Sequence, residues 1–156
     1  NGKNISLKTM KLLYIDLDGV VADFVSAMNT HPKKETPPYH EHPDTIPHIF
    51  RDLTPIKGAI NAVNKLLDAA MYEVYFLSTA PWGNPSAWTD KRLWLEVQFG
   101  ERINRKLILT HRKDLVKGDI LIDDRPNNGA KDFDGKLITF GSDEYPNWYA
   151  VLDYLL

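Results

Sequence analysis

The run Leu12-Leu13-Tyr14-Ile15-Asp16-Leu17-Asp18-Gly19-Val20 constrains this chain more than any other stretch. Its apolar residues end in two carboxylates spaced i, i+2 and then a glycine. A short apolar run closed by a turn signal reads as a buried strand, of the kind found in a parallel sheet covered on both faces. In open α/β sheets, ligands bind just beyond the carboxyl ends of such strands. If the backbone stays extended to Asp18, the side chains of Asp16 and Asp18 share one face. Two carboxylates held together there repel unless a cation or a shared proton compensates them.

The rest of the chain supplies partners for that strand. Val20 to Met28 carries apolar residues at helical spacing, ending before His31-Pro32. Residues 31–48 hold five prolines and four of the five histidines, which excludes an ordinary helix or central strand. That segment is an excursion from the sheet, a lid or small cap. Thr54-Pro55 has the form of a helix start, and Ile56, Ala59, Ile60, Val63, Leu67 and Ala70 line up as its apolar face. Glu73 to Thr79 reads as a second strand ending in two hydroxyls. Asn84-Pro85 repeats the helix-start signal for a helix running to Phe99 and stopped by Gly100. Further strands are expected at Leu107–Thr110, Asp119–Asp124 and Leu137–Phe140, and a closing helix from Pro146 with Trp148, Val151, Leu152 and Leu155 inward. Strands alternating with helices imply a doubly wound, Rossmann-like α/β sheet.

Four strand ends therefore carry polar groups: Asp16 and Asp18; Ser78 and Thr79; Lys113 just beyond its strand; and Asp123 with Asp124. A parallel sheet brings all four to one edge. Several carboxylates together call for a hard cation with oxygen ligands, and Mg²⁺ fits best. A lysine and a hydroxyl beside such a cation make a phosphate site. One carboxylate can attack phosphorus in line while the other protonates the leaving alkoxide and later activates water.

Composition narrows the field. The 156 residues suffice for one domain with a core, and the net charge of −2 gives no bulk attraction for a nucleic acid polymer or an anionic membrane. There is no cysteine, hence no disulfide, Cys-zinc site or thiol nucleophile. No apolar run has the length of a membrane span, and no targeting signal is visible, which suggests the cytoplasm. The polar stretch Asn1–Thr9 reads as a leader, with Met10 the natural start.

The order of DxDGV, a serine or threonine, a lysine and a DD pair resembles the haloacid dehalogenase-like hydrolase superfamily, over most of residues 11–140. Within it, Asp16–Phe24, Thr79-Ala80-Pro81, Asp90-Lys91-Arg92-Leu93-Trp94, Leu109–Lys113 and Leu121–Pro126 are similar to the 5'(3')-deoxyribonucleotidase (cytosolic type C nucleotidase) family. The resemblance implies a Mg²⁺-dependent phosphomonoester hydrolase acting on nucleoside monophosphates, preferably deoxyribonucleotides, through an aspartyl-phosphate. It makes Asp16 the nucleophile and a metal ligand. Asp18 becomes the general acid/base, with its carbonyl on the metal. Thr79, Lys91 and Lys113 take the phosphate, and Lys113 also steadies Asp16. Asp124 binds the metal directly, Asp123 supports it, and Phe24 meets the nucleotide. The implied organisation is one domain over residues 10–156, with residues 25–53 a reduced cap that a homodimer could close. Ala80 departs from the serine common in the family. The proline-rich segment offers few aromatics for the base beyond Phe24 and, loosely, Tyr39 and Phe50.

Other readings are weaker. A phosphorelay receiver places its acidic pair first and its phospho-acceptor on a later strand, the reverse of the order here. A phosphomutase needs a cap that excludes water. A dehalogenase has no use for the Asp18 acid. A binding module would not need every catalytic residue type. The histidines of His40-Glu41-His42, with His31 and His48, are surrounded by prolines and joined by no cysteine, a poor zinc site.

Overall fold

The computed structural model describes residues 10–156; the proposed leader at residues 1–9 lies outside them. Five parallel strands form one sheet: β1 (Lys11–Ile15), β2 (Tyr72–Ser78), β3 (Leu107–Leu109), β4 (Ile120–Asp123) and β5 (Lys136–Thr139), in the order β3-β2-β1-β4-β5. Four helices accompany them: α1 (Phe24–Thr30), α2 (Ala59–Asp68), α3 (Ser86–Phe99) and α4 (Trp148–Leu155). None is long and apolar enough to cross a membrane.

The strand order explains the layering. Steps from β1 to β2 to β3 move one way across the sheet, and steps from β3 to β4 to β5 move the other way. Right-handed crossovers then send the two sets of connections to opposite faces. Alternation along the strands sorts the side chains accordingly. Leu13, Ile15, Val74, Phe76, Ile120 and Ile122 pack with the buried residues of α2, α3 and α4. Tyr14, Leu77 and Leu121 face Ala130 and Phe133, with Val116 against them. The winding is two-directional, as read from sequence, but the second face is covered by short 3-10 turns rather than helices.

Two tryptophan indoles fix the loops that follow β1. Trp148 Nε1 donates to the carbonyl of Val20 at 2.7 Å, and Trp94 Nε1 donates to that of Leu53 at 2.8 Å. Asp23 caps α1 by accepting from the Ser26 amide at 3.1 Å and its hydroxyl at 2.7 Å.

Several helix boundaries differ from expectation. The helix expected at Thr54-Pro55 starts at Ala59, after Gly58 in the left-handed conformation (φ 78°). Residues 54–56 instead pair with the loop after β1: Asp23 N–H donates to Thr54 O and Ile56 N–H to Val21 O, both at 2.8 Å. That long-range pairing overrides the local helix-start signal. The buried face is accordingly Ala59, Ala62, Val63 and Leu66, with Ile60 and Leu67 half-buried. Asn84 does not cap α3. Its side-chain amide donates to the carbonyls of Asp44 (2.9 Å) and Ile46 (3.1 Å). The closing helix begins at Trp148, two residues past Pro146, because Asn147 caps it by accepting from Ala150 N–H at 3.0 Å.

Residues 31–53 form a strap of turns over this framework. Its first half is largely exposed, whereas Ile46, Ile49, Phe50 and Leu53 enter the main core. Asn84 ties down the middle of the strap. Asp90 of α3 ties down its end, with His48 Nδ1 at 2.9 Å and Arg51 Nε at 3.5 Å. The His48 amide also donates to Ser86 Oγ at 2.9 Å.

Candidate active site

The sheet turns from one winding direction to the other at β1 and β4, and the acidic residues converge there. Asp16 continues β1, its N–H donating to Ile122 O at 2.9 Å. The next residues wind tightly, with the Leu17 carbonyl accepting from the amides of Val20, Val21 and Ala22. This turn requires Gly19. Its φ is +80°, and a β-carbon there would lie 2.1 Å from Asp124 Oδ2. The glycine of the DxDG motif is thus the floor on which the last carboxylate rests.

Each carboxylate of the first motif has its own buried lysine. Lys113 Nζ donates to Asp16 Oδ1 at 3.1 Å and to Asp123 Oδ2 at 2.6 Å. Lys91 Nζ donates to Asp18 Oδ2 at 2.5 Å and to Ser78 Oγ at 3.0 Å. Asp123 Oδ1 also accepts from the Arg125 amide at 3.1 Å, so this residue is fully engaged within the protein. Asp124 is not: its buried Oδ1 lacks any hydrogen-bond partner. Oxygens of Asp16, Asp123 and Asp124 lie within 4.8 Å of one another.

The electrostatics follow from burial. Removal from water raises the Asp16 carboxyl well above its ordinary range; Lys113 opposes the shift, and the charges of Asp123 and Asp18 add to it. Burial raises Asp124 too, helped by Asp123. For Lys113, burial works against the charge, but Asp16 and Asp123 more than offset it and raise the ammonium. Four carboxylates and two ammoniums leave a formal −2 among these six groups. A bound divalent cation would cancel that charge and give Asp124 Oδ1 a partner.

Thr79 completes the rim. Its hydroxyl donates to Thr110 O at 2.7 Å, which leaves its lone pairs free. It lines a small hollow with Asp16, Asp18, Lys113, Asp123, Arg125, Asn127 and Asn128. A far larger hollow, about 1050 Å³, lies elsewhere, along α3 and the edge strand β3, and holds none of these groups. Size therefore does not locate the chemistry here.

Phe24 stacks on Phe50, with ring centroids 4.8 Å apart and planes 10° from parallel. Lys91 Nζ lies 4.5 Å above the Phe50 ring, linking this pair to Asp18. Tyr39 packs against the core from the strap. The strap histidines do not converge: His31 Nδ1 accepts from Lys33 N–H, and His48 turns to Asp90. Among the described residues, the only group of three or more such ligands is the aspartate trio.

Sequence reasoning singled out the acids, Thr79 and both lysines, Lys91 through the resemblance alone. It missed Ser78 as the acceptor for Lys91, and Arg125, Asn127 and Asn128 as lining of the hollow. It also missed Asp90, 1% exposed and adjacent to Lys91. Asp90 and Lys91 lie on a helix with no clear apolar face in sequence, so their burial left no periodic signal.

Comparison with known proteins agrees with this arrangement. A family described as "5' nucleotidase, deoxy (Pyrimidine), cytosolic type C protein" matches residues 28–147. A protein of Vibrio phage KVP40, named "Putative 5'(3')-deoxyribonucleotidase", is 45% identical over 144 residues, which are 92% of this chain and 84% of that one. One of the same name from Bordetella bronchiseptica is 35% identical over 74% of each chain. The human "5'(3')-deoxyribonucleotidase, cytosolic type" is 26% identical over 88% of this chain and 77% of its own.

Proposed function

Since the chain belongs to the cytosolic type C 5' nucleotidase family, we propose that it hydrolyses nucleoside monophosphates, deoxyribonucleotides by preference, to nucleoside and phosphate. The observation that carries this reading is the double pairing Asp16–Lys113 and Asp18–Lys91 around a carboxylate whose buried oxygen lacks a partner. A purely structural ion network would satisfy all of its own members.

Asp16 is the nucleophile. Its free oxygen forms a bond to phosphorus as the bond from phosphorus to the ester oxygen breaks, giving an aspartyl-phosphate. Lys113 holds the other Asp16 oxygen, fixing the rotamer and drawing the carboxyl toward its charged form. Asp18 donates a proton to the departing oxygen, then takes one from the water that cleaves the aspartyl-phosphate, so the second step restores the first state. Lys91 orients Asp18 through its Oδ2 and adds positive charge beside the phosphate. The lining residues Asn127 and Asn128 donate side-chain N–H groups to phosphate oxygens, and Thr79 does so with its hydroxyl once that turns from Thr110 O to the substrate.

Asp16, Asp124 and the Asp18 carbonyl would hold Mg²⁺, with Asp123 supporting, and the ion would neutralise charge on the phosphoryl oxygens. Residues 25–53 act as the reduced cap, and Phe24, just before them, stacks on Phe50 beside Lys91. Following its human relative of cytosolic type, the chain is assigned to the cytoplasm.

The test is phosphate release from deoxyribonucleotides, ribonucleotides, sugar phosphates and p-nitrophenyl phosphate, with and without Mg²⁺. Mg²⁺-dependent release favouring deoxyribonucleotides supports the proposal. Release from p-nitrophenyl phosphate alone keeps the chemistry and removes the nucleotide.

A further inference from the structure

The aromatic pair linked to Asp18 through Lys91 is closed on itself. Phe24 and Phe50 stack at 4.8 Å, which leaves no space for a third ring between them, and Phe50 is buried. A planar base held at this site needs another surface.

One lies on the loops that follow β2 and β3. Trp82, Trp88 and His111 form a cluster with ring centroids 5.9–6.2 Å apart. Trp82 is 83% exposed, the most exposed large apolar side chain among the described residues. Both loops that carry the cluster also carry phosphate-site residues. Trp82 lies three residues past Thr79, and His111 lies two before Lys113. The hydrogen bond from Thr79 Oγ1 to Thr110 O ties these loops together.

The turn that presents Trp82 is held firmly. Asn84 N–H donates to Pro81 O at 2.9 Å, and the Asn84 side chain grips the strap carbonyls. A β-carbon on Gly83 would come within 3.1 Å of Thr45 Cγ2, so the strap packs directly against this turn. The indole is thus supported behind by Trp88 and His111, on an anchored turn, with its outer surface in water. An exposed aromatic on a fixed base is a stacking platform that loses little side-chain entropy when a ring settles on it.

We propose that Trp82, backed by Trp88 and His111, is the stacking surface for the base of a nucleoside monophosphate whose phosphate lies at Thr79 and Lys113. This rests on the nucleotidase reading and specifies which side of the phosphate the base occupies. Stacking is tolerant of base identity, because every base has a π-face.

The experiment compares a deoxyribonucleoside monophosphate with deoxyribose 5-phosphate, which keeps phosphate and sugar but lacks the base. Trp82→Ala should raise KM for the nucleotide roughly 5- to 100-fold, the range expected for loss of one stacked base. KM for deoxyribose 5-phosphate, which has no base to stack, should change by less than about twofold. Trp82→Phe should recover most of the loss. In the Asp16→Asn protein, adding nucleotide should quench a tryptophan signal that is absent from the Asp16→Asn/Trp82→Phe protein.

Equal KM changes on both substrates would make Trp82 a packing element of the turn and overturn the proposal. So would an unchanged nucleotide KM together with a large increase in Phe24→Ala, which would put the base at the Phe24–Phe50 pair. Loss of a dimer in Trp82→Ala, seen by light scattering, would make the patch an interface between copies and overturn it as well. If the wild-type protein hydrolyses sugar phosphates but no nucleotide, the nucleotidase reading itself fails, and the platform with it.

Discussion

Asp90 and Lys91 are neighbours in sequence, equally buried on one helix, and opposite in what surrounds them. Asp90 faces the strap, where His48 and Arg51 complete its partners and both are half exposed to water. Lys91 faces the sheet edge and joins a network with more negative than positive charge and one orphaned oxygen. A buried charge whose partners balance it holds structure in place. A buried charge in an unbalanced group is poised for something that arrives from outside.

This contrast can be broken by substitution. The largest effect should come from Asp16→Asn, which leaves Lys113 bonded to Asp123 but removes the nucleophile. Turnover should disappear while circular dichroism stays native, and an active variant would end the nucleophile assignment. Asp18→Asn should slow single-turnover phosphoryl transfer by about 10²–10⁴-fold, the usual worth of a general acid/base. A change within twofold would show that the leaving group needs no proton from Asp18.

Gly19→Ala probes the same edge without removing a charge. The new methyl would meet Asp124 Oδ2, so the Mg²⁺ concentration for half-maximal activity should rise about 10–100-fold. An unchanged Mg²⁺ titration would separate Asp124 from the metal.

On the strap side, Asn84→Ala strands the carbonyls of Asp44 and Ile46. It should cost about 1–3 kcal/mol in denaturant unfolding. Its effect on kcat should be far smaller than that of Asp18→Asn. If kcat fell as far as in Asp18→Asn, the strap would belong to the chemistry and not only to its housing.

The smallest effect is a pH trend. Asp16 and Asp124 titrate higher in the folded chain than in the unfolded one. From about pH 4 up through those raised values, the metal-free fold holds protons that the unfolded chain has released, so its stability falls as pH rises. Mg²⁺ binds the ionised carboxylates and offsets the loss. The rise in Tm on adding Mg²⁺ should therefore be larger at pH 7.5 than at pH 5, and an equal rise would mean the ion binds elsewhere.

Much of this edge was legible in the chain, because strand ends advertise themselves. An apolar run broken by Asp16 or Asp123 states both the strand and the place where it stops. The sheet gathers such ends by topology alone, so neither Thr79 nor Lys113 needed a measured distance. Asn84 and Asp90 were not legible, since their partners lie 38 to 42 residues away and are chosen by packing. Thr54-Pro55 misled for the same reason. Its local preference for a helix start lost to backbone pairing with Val21 and Asp23.

The central place of β1 also has a consequence for how the protein is made. Leu13 pairs with Val74 on one side and with Ile120 on the other. Synthesis delivers Asp16 and Asp18 well before Lys113 and Asp124. Until β4 arrives, β1 presents an unpaired apolar edge, the kind of surface on which nascent chains stick together. A pause in translation, or a stop codon between β3 and β4, would leave an acidic half-site beside an open strand. The stretch from Lys113 through β4 to Asp124 thus carries the means both to finish the catalyst and to close the edge that endangers it.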